Sequence, residues 1–329
     1  MEIEEKVKMI LEKDYLIHRT DFKKYFKSFY EGKVRDNYGT EKERVIIVSD
    51  RLSAFDRVLT KIPYKGQILN QTAAFWFDKT GSNVPNHVIS VPDPNIMIVK
   101  ECKPLPVEMV IRGYITGSAW RAYEKDPDKP ISGISFPVGL KKNQQLPEPV
   151  ITPSTKAEKG IHDEAISREE ILNKKIVEKD LYLQMEEITN KLYEMGTNIA
   201  SKNGLILVDT KYEFGLDNDG KLVVIDEIHT PDSSRYWIKG TYDELFSAGK
   251  SPDILDKEFV RDWLREEKNF MGDGPIPEID TEIKIDLCKR YVKNYEILTG
   301  LKFDLETIKE DLPPLVRIES KLKELGYLS

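Results

Sequence analysis

The stretch that decides the fold is LILVDTKYEFGLDNDGKLVVIDEI, residues 205–228. Two apolar segments flank the dipeptide Asp219-Gly220, and this combination predicts a β-hairpin. Charged residues occupy three alternate positions of the first segment, Asp209, Lys211 and Glu213. Because successive side chains of a strand point to opposite faces, these three should share one face of the hairpin.

Two loop lengths are compatible with this hairpin. A two-residue loop at Asp219-Gly220 would place Glu213 opposite Asp226. A four-residue loop would place Lys211 opposite Asp226, with Glu213 diagonal to it. In either register Asp226 joins the row of charged residues, so we expect Asp209, Lys211, Glu213 and Asp226 on one face.

Two interpretations explain these acids. Opposed side chains in an antiparallel pair have Cβ atoms about 5 Å apart, so two carboxylates there repel each other unless a cation lies between them. Mg²⁺ held by Glu213 and Asp226 and completed by nucleotide phosphates fits this spacing and ligand type. Alternatively, Lys211 neutralises the acids as part of a surface charge cluster. The apolar character of the flanking strands speaks against that, since buried charge needs a counter-ion.

Two further segments carry groups suited to phosphates. Gly32 lets the backbone approach a phosphate, and Lys33 and Arg35 bring positive charge, although Gly-Lys is also common in ordinary hairpins. The segment 112–118, RGYITGS, combines an arginine, two glycines and hydroxyls as in a phosphate cradle. Segment 230–237 offers Arg235, and its Asp232 or Ser233 could equally be the N-cap of a helix. Neither a GxxxxGK[ST] loop nor a complete GxGxxG motif is present.

Composition limits the possible classes of protein. The net charge of −7 over 329 residues argues against a nucleic-acid-binding protein, while local basic groups can still attract small phosphorylated ligands. The two cysteines, Cys102 and Cys288, lack CxxC spacing, which suits a reducing compartment. No apolar run approaches the roughly 20 residues needed to cross a bilayer. We therefore expect a cytoplasmic protein without membrane or nucleic-acid partners, as a monomer or small homo-oligomer.

The pattern along the chain predicts three regions. Short β-type runs between about 25 and 110 predict a β-rich N-terminal lobe, residues 1–110. A long Pro- and Gly-rich stretch, 127–159, is followed by a capping box at Ser167 and one helix of roughly 30 residues, to about Lys202. These elements and the hairpin form a predicted α+β lobe, residues 111–256. Residues 257–329 predict a helical C-terminal segment.

Several separated motifs, in this order, resemble the SAICAR synthetase family (phosphoribosylaminoimidazole-succinocarboxamide synthases). The resemblance extends over roughly residues 15 to 270. The motifs are GKVRD (32–36), SDRLSAFD (49–56), KGQILN (65–70), RG followed by GS (112–118), TKAE (155–158), VDTKYEFG (208–215), and DE followed by RYW (226–237).

The resemblance implies an α+β fold, similar to ATP-grasp and kinase-like folds, with a β-rich N-terminal lobe, a mixed C-terminal lobe around an ATP cleft, and C-terminal helices. It implies a reaction in which ATP, CAIR (the carboxylated aminoimidazole ribonucleotide) and L-aspartate give SAICAR, ADP and phosphate, with Mg²⁺. Because a carboxylate is a poor acylating agent, ATP first converts it to an acyl phosphate, which the aspartate amine then attacks. Phosphoryl transfer depends on positioning and charge neutralisation.

The resemblance also assigns roles to single residues. Lys211, Glu213 and Asp226 are the catalytic group, with Glu213 and Asp226 on the metal and Lys211 facing the reacting carboxylate. A purely structural role for Lys211, as counter-ion of the acids, stays open. The ATP-binding residues are Gly32, Lys33, Val34, Arg35, Glu108, Met109 and Lys156. The substrate-binding residues are Ser53, Asp56, Arg112, Ser118, Asp163, Asp209, Asp232 and Arg235.

Two other functions are compatible with parts of the pattern. A kinase acting on a small molecule or a protein could use the same ATP site, although the chain lacks an HRD-type catalytic loop. A non-catalytic nucleotide- or RNA-binding module would need a basic, aromatic-rich surface, which the net charge does not favour. A kinase leaves phosphate on its product, whereas a synthetase releases it.

Overall fold

The structure, a computed structural model, describes residues 2–156 and 164–328, so the predicted site residue Asp163 lies outside the described residues. The chain forms two compact units. The first unit comprises Met1–Phe77, His87–Glu101 and Asp256–Ser329, and the second unit comprises Asp78–Asn86 and Cys102–Leu255. The predicted division at residues 110 and 256 stays a prediction.

The strands are, in chain order, β1 (Ser28–Glu31), β2 (Arg35–Gly39), β3 (Glu43–Val48), β4 (Arg51–Ala54), β5 (Arg57–Lys61), β6 (Val88–Asp93), β7 (Ile96–Lys100), β8 (Lys103–Tyr114), β9 (Gln145–Ile151), β10 (Ser154–Thr155), β11 (Leu205–Leu216), β12 (Leu222–Ile225) and β13 (Ser234–Ile238). The α-helices are α1 (Ile3–Glu12), α2 (Lys65–Thr80), α3 (Gly117–Lys125), α4 (Arg168–Asn173), α5 (Lys179–Lys202), α6 (Lys239–Ser247), α7 (Glu258–Lys268), α8 (Thr281–Thr299) and α9 (Pro314–Glu324). Short 3-10 helices lie at Lys23–Tyr25 and Leu305–Thr307. No helix of the described ranges is both long enough and apolar enough to cross a membrane.

The first unit contains an antiparallel five-stranded sheet in the order β1-β2-β3-β7-β6. Helix α9 covers one face of this sheet, where Ile318 and Leu322 pack with Tyr38 and Ile47. A second apolar cluster joins α1 and α8 to the β4–β5 hairpin. The C-terminal helices are therefore part of the core of the first unit, because their apolar faces bury the sheet and the N-terminal helix.

The second unit is built on a six-stranded sheet with the path β10-β8-β11-β12, in which β9 also pairs with β8 and β13 with β11. Strands β8 and β11 are 12 residues each and run antiparallel. Their register sets Arg112 opposite Asp209 and Glu108 opposite Glu213. Helix α5 packs on these two strands. The two longest strands thus form a rigid centre that positions charged residues across from one another.

The predicted hairpin is confirmed, but both predicted registers are wrong. The observed pairs are Leu216 with Leu222 and Glu213 with Ile225, so five residues, 217–221, form the loop. The cause is the Asp217 side chain, whose Oδ1 accepts hydrogen bonds from the backbone N–H of Asp219 (3.1 Å) and Lys221 (3.0 Å). An Asp side chain that bonds its own loop in this way stabilises a longer turn than Asp-Gly alone would set.

The predicted helix after Ser167 is interrupted. The capping box is confirmed: Ser167 Oγ accepts from the Glu170 backbone N–H, and the Glu170 side chain accepts from the Ser167 backbone. The helix that it starts, α4, ends at Asn173, and Lys175 follows in the left-handed conformation with φ 51°. A separate helix, α5, then begins at Lys179. The apolar residues recur with helical spacing on both sides of the break. The sequence pattern therefore predicted one continuous helix where the structure has two.

Candidate active site

Charged side chains line one face of the β8–β11 pair in the second unit. Lys211 Nζ lies 2.7 Å from Glu108 Oε1 and 2.7 Å from Glu213 Oε1. Lys156 forms a second ion pair with Glu213, through the other carboxylate oxygen. Since Glu108 and Glu213 face each other across the strands, the two lysines supply the positive charge that separates the opposed carboxylates. The fold brings Lys211 and Glu213 together, as strand alternation predicted, and the predicted ATP-binding residue Lys156 joins them.

Burial and charge act in opposite directions on this group. Burial by itself would raise the pKa of Glu213, but the charges of Lys211 and Lys156 outweigh it and hold that pKa far below its usual value. Burial likewise would lower the pKa of Lys211, but the charges of Glu213, Glu108 and Asp226 together raise it well above the usual value. Glu213 and Lys211 are therefore both ionised at neutral pH.

The position of Asp226 near this charged group does not follow from the alternation of side chains along β12. It follows the last residue of β12 and, in the observed register, continued pairing would place it opposite Tyr212, on the other face from Glu213. Instead its φ is 65°, and the backbone leaves the strand direction. Its charge contributes to the raised pKa of both Lys156 and Lys211, so Asp226 lies close to the cluster.

The acids of this cluster fit a metal that arrives with a nucleotide. Within residues 2–156 and 164–328, no group of three or more His, Cys, Asp or Glu side chains is placed to hold a metal by itself. Mg²⁺ typically takes only one or two carboxylates from the protein and completes its octahedron with phosphate oxygens and water. Glu213 and Asp226 match that incomplete donor set.

A second cluster, centred on Asp209 of β11, contains Arg112 of β8 and Arg235 of β13. Arg112 and Arg235 both donate to Asp209 Oδ2, at 2.9 and 2.5 Å, and Arg112 also donates to Ser118 Oγ at 3.2 Å. Ser118 lies in the first turn of α3, whose N-terminus offers unpaired backbone N–H groups and a favourable dipole to an anion. The predicted phosphate-binding residues Arg112, Ser118 and Arg235 are thus brought together around Asp209.

The two glycines of the predicted phosphate cradle have different roles. Gly117 has φ 56°, and a Cβ there would lie 2.4 Å from Arg235 Nη2, so this glycine makes room for the guanidinium. Gly113 instead packs against α5, because a Cβ there would lie 2.3 Å from the Tyr193 hydroxyl. That hydroxyl donates to the carbonyl of Leu207 at 2.8 Å. Gly113 therefore serves the packing of α5 on the sheet, a role that the motif did not reveal.

The remaining predicted residues of the second unit are placed as follows. Glu108, predicted along the adenine edge, points its carboxylate at Lys211. Met109 is fully buried and pairs with Tyr212. Asp232 lies in the turn before β13, where its backbone N–H donates to Thr230 Oγ1 at 3.3 Å. Sequence reasoning did not predict Thr152, whose Oγ1 accepts from Arg112 Nε at 2.9 Å.

The first unit holds the other predicted site residues: Gly32, Lys33, Val34, Arg35, Ser53 and Asp56. Residues 32–34 form the turn between β1 and β2, and the Lys33 ammonium is ion-paired with Asp56. Asp56 lies in the β4–β5 turn with φ 57°. Sequence reasoning missed Arg51, which stabilises the turn between β1 and β2. Its guanidinium donates to the carbonyls of Gly32 and Lys33, each at 3.1 Å.

Comparison with known proteins agrees with this arrangement. A family model described as SAICAR synthetase matches residues 28–275. The chain belongs to the SAICAR synthetase family. A phosphoribosylaminoimidazole-succinocarboxamide synthase of Flavobacterium psychrophilum is 50% identical over 303 residues, 91% of this chain and 94% of that protein. One from Legionella pneumophila (strain Lens) is 48% identical over 278 residues, 83% of this chain and 88% of that protein.

Solved members of the SAICAR synthetase family share the fold. The Saccharomyces cerevisiae SAICAR synthase complexed with SAICAR superposes with a TM-score of 0.75 at 33% identity, over 88% of this chain and 99% of that chain. A SAICAR synthetase in complex with ADP gives a TM-score of 0.64 at 27% identity, over 84% of this chain and 100% of that chain. The predicted α+β, ATP-grasp-like fold with C-terminal helices is confirmed.

Proposed function

We propose that this chain is an ATP-dependent ligase that joins CAIR to L-aspartate and releases SAICAR, ADP and phosphate. The observation that carries the proposal is the order of two clusters along one face of β11. The arginine cluster at Asp209 is followed, two and four residues later, by the lysine–carboxylate group at Lys211 and Glu213. A strand rises about 3.3 Å per residue, so the clusters lie within the reach of one small molecule. A ribonucleotide with a phosphate at one end and a carboxylate at the other fits this pattern.

The two arginines are the proposed receptors of the CAIR phosphate. Asp209 fixes both guanidinium groups, and a guanidinium that is already oriented loses less entropy when it binds an anion. Ser118 and the N-terminus of α3 add donors at the same place, and Asp232 stands close by in the chain. Asp209 itself is the proposed contact for polar groups of the ribonucleotide.

The reaction begins with transfer of the γ-phosphoryl group. A carboxylate oxygen of CAIR attacks the γ-phosphorus of ATP, the bond to the bridging oxygen breaks, and ADP leaves. Lys211 is the residue proposed to stabilise the charge on the transferring group, since an ammonium has three donors and its contacts to Glu108 and Glu213 use two of them. Glu213 and Asp226 would hold Mg²⁺, which neutralises phosphate charge when bound. Lys156 is the proposed contact to the nucleotide phosphates.

The second step forms the amide. The amine of L-aspartate attacks the acyl carbon, the carbon–oxygen bond to phosphate breaks, inorganic phosphate leaves, and the amine loses a proton. No residue of the chain forms a covalent intermediate in this scheme. Glu108 and Met109 are further proposed ATP-binding residues of the second unit. In the first unit, Gly32, Lys33, Val34 and Arg35 are proposed ATP-binding residues, and Ser53 and Asp56 are proposed substrate-binding residues.

Omission of single substrates tests the proposal. The purified protein is incubated with ATP and Mg²⁺, with CAIR and L-aspartate added singly and together, and ADP, free phosphate and product are measured. We expect equal amounts of ADP, phosphate and SAICAR only when all substrates are present. A phosphorylated product that accumulates without release of phosphate would identify a kinase and overturn the proposal. Size-exclusion chromatography with light scattering would test the expected monomer or small homo-oligomer.

A further inference from the structure

We propose that a buried hydrogen-bonded chain behind the charged face of β11, formed by Ser234, Thr210, Tyr212 and His229, positions Asp226 for metal binding. These four are positioning residues, because none of them belongs to the charged face itself. The inference rests on the proposed function, in which Asp226 is a ligand of the nucleotide-bound Mg²⁺. Its basis is the conformation and the surroundings of the segment that connects β12 to β13.

The connecting segment is conformationally unusual. Both Asp226 and His229 adopt positive φ, 65° and 54°, although neither is a glycine. Each such residue costs of the order of 1 kcal/mol and persists only where the surrounding structure fixes it. This conformation takes Asp226 out of the strand direction, and the Asp226 charge acts on Lys156 and Lys211. Whatever fixes the segment therefore also fixes the carboxylate.

His229 is the fixed point of the segment. Its side chain is fully buried, and its Nε2 lies 2.5 Å from the Tyr212 hydroxyl. The Tyr236 hydroxyl donates to the His229 carbonyl at 2.8 Å. From the opposite side the imidazole rests on helix α5, where a Cβ at Gly196 would lie 2.3 Å from His229 Cε1. The ring is therefore held by strands on one side and by a helix on the other.

The hydrogen bonds behind β11 form a directed chain. Ser234 Oγ donates to Thr210 Oγ1 at 2.7 Å, and the Thr210 hydroxyl is hydrogen-bonded to Tyr212. The Tyr212 hydroxyl is in turn hydrogen-bonded to His229 Nε2. Burial lowers the pKa of His229 to about 3, so its imidazole is neutral at physiological pH and can accept a hydrogen bond. Hydrogen bonds in such a buried environment of low dielectric constant are stronger than in water, so the chain holds its members in place.

The position of Tyr212 links this chain to the reaction. Tyr212 stands between Lys211 and Glu213 in β11, and its side chain points to the other face of the sheet. The same strand therefore carries the proposed metal ligand Glu213 on its front and the anchor of the Asp226 segment on its back. A shift of the anchor would change the separation of Glu213 and Asp226 without touching either carboxylate. Changes behind metal ligands typically alter metal affinity or activity by about 10- to 100-fold.

Two variants, each with a matched control, test the inference. Tyr212→Phe removes the hydroxyl at His229, and Gly196→Ala displaces the imidazole without removing a polar atom. Tyr242→Phe is the control for the first, since the buried Tyr242 hydroxyl donates to the Asn143 carbonyl at 2.8 Å in the same unit. Gly240→Ala is the control for the second, since Gly240 lies in helix α6 with open space around it.

The measurements are the affinity for ADP by calorimetry over a range of Mg²⁺ concentrations, the half-saturating Mg²⁺ concentration for ADP release, and Tm. We expect both test variants to raise the half-saturating Mg²⁺ concentration about tenfold and to weaken Mg²⁺-dependent ADP binding, while both controls stay within twofold of the wild type. Test variants that lower Tm but keep the Mg²⁺ dependence of the controls would overturn the inference alone. A wild type without Mg²⁺-dependent ADP release would overturn the proposed function, and the inference with it. If Tyr212→Phe does not fold, the comparison of Gly196→Ala with Gly240→Ala alone tests the inference.

Discussion

Replacement of Lys211 by methionine removes the ammonium that lies 2.7 Å from both Glu108 and Glu213 while keeping a similar apolar stem. Breaking a fully buried ion pair costs about 3–5 kcal/mol. The Lys211 side chain is 31% exposed and Lys156 still pairs with Glu213, so we expect a smaller loss of about 2 kcal/mol. For a chain of this length that corresponds to a fall in Tm of about 3 °C. We also expect kcat to fall by about 10²–10³-fold, since Lys211 is proposed to face the reacting carboxylate.

Urea unfolding and steady-state kinetics separate the two contributions. The control is Lys174→Met, which removes an exposed ion pair with Glu170 in the same unit and should cost at most about 0.5 kcal/mol. Addition of Mg²⁺ and ADP should restore part of the stability of the Lys211 variant, because the metal gives Glu213 another cation. A variant as stable as Lys174→Met with a low kcat would refute the structural half of the reasoning. A destabilised variant with normal kcat would refute the catalytic half.

Three other outcomes follow from the site. Asp226→Asn should leave Tm nearly unchanged and lower turnover by orders of magnitude at ordinary Mg²⁺ concentrations, and near-normal turnover there would contradict its role. Arg235→Ala should raise the KM for CAIR about 10- to 100-fold with little change for ATP, and the reverse pattern would show that the phosphate sites are exchanged. His229 has a folded pKa of about 3 against 6.5 when unfolded, so the unfolded state binds more protons between these values and stability falls as pH drops. The stability advantage of wild type over His229→Gln should therefore shrink by about 2 kcal/mol between pH 7 and pH 5, and an advantage that does not change with pH would contradict a buried neutral imidazole.

The strands of the site could be predicted from the sequence because the period of two is a local signal. The row Asp209, Lys211 and Glu213 needed only alternation along one strand, and the fold keeps this row together. The length of the loop was not predictable in the same way. The loop length depends on whether the Asp217 side chain accepts hydrogen bonds from the backbone of the turn. The same residues can form several turn types, and the sequence alone does not select among them.

Contacts between distant segments were beyond local reasoning. Glu108 and Lys156 meet the row on β11 only because β8 and the β10 region return to the same sheet, and their partners are 103 and 57 residues away in the sequence. Motif resemblance supplied these residues as candidates but not their partners. The backbone conformation of Asp226 could not be predicted from the sequence either. A positive φ at a non-glycine residue is imposed by the surrounding structure rather than by the preference of the residue itself.

The charge balance of the second unit explains why the proposed chemistry needs an added cation. The two charged clusters on β11 and its neighbours contain four carboxylates and four basic groups: Glu108, Asp209, Glu213 and Asp226 against Arg112, Lys156, Lys211 and Arg235. Before any ligand binds, the acids largely neutralise the bases, so the buried members of the two clusters carry little uncompensated charge. A bound polyphosphate adds negative charge that no surplus base among them can offset. On the proposed assignment Glu213 and Asp226 must therefore change partners, from lysine to metal, so that the lysines become available to the phosphates and the reacting carboxylate.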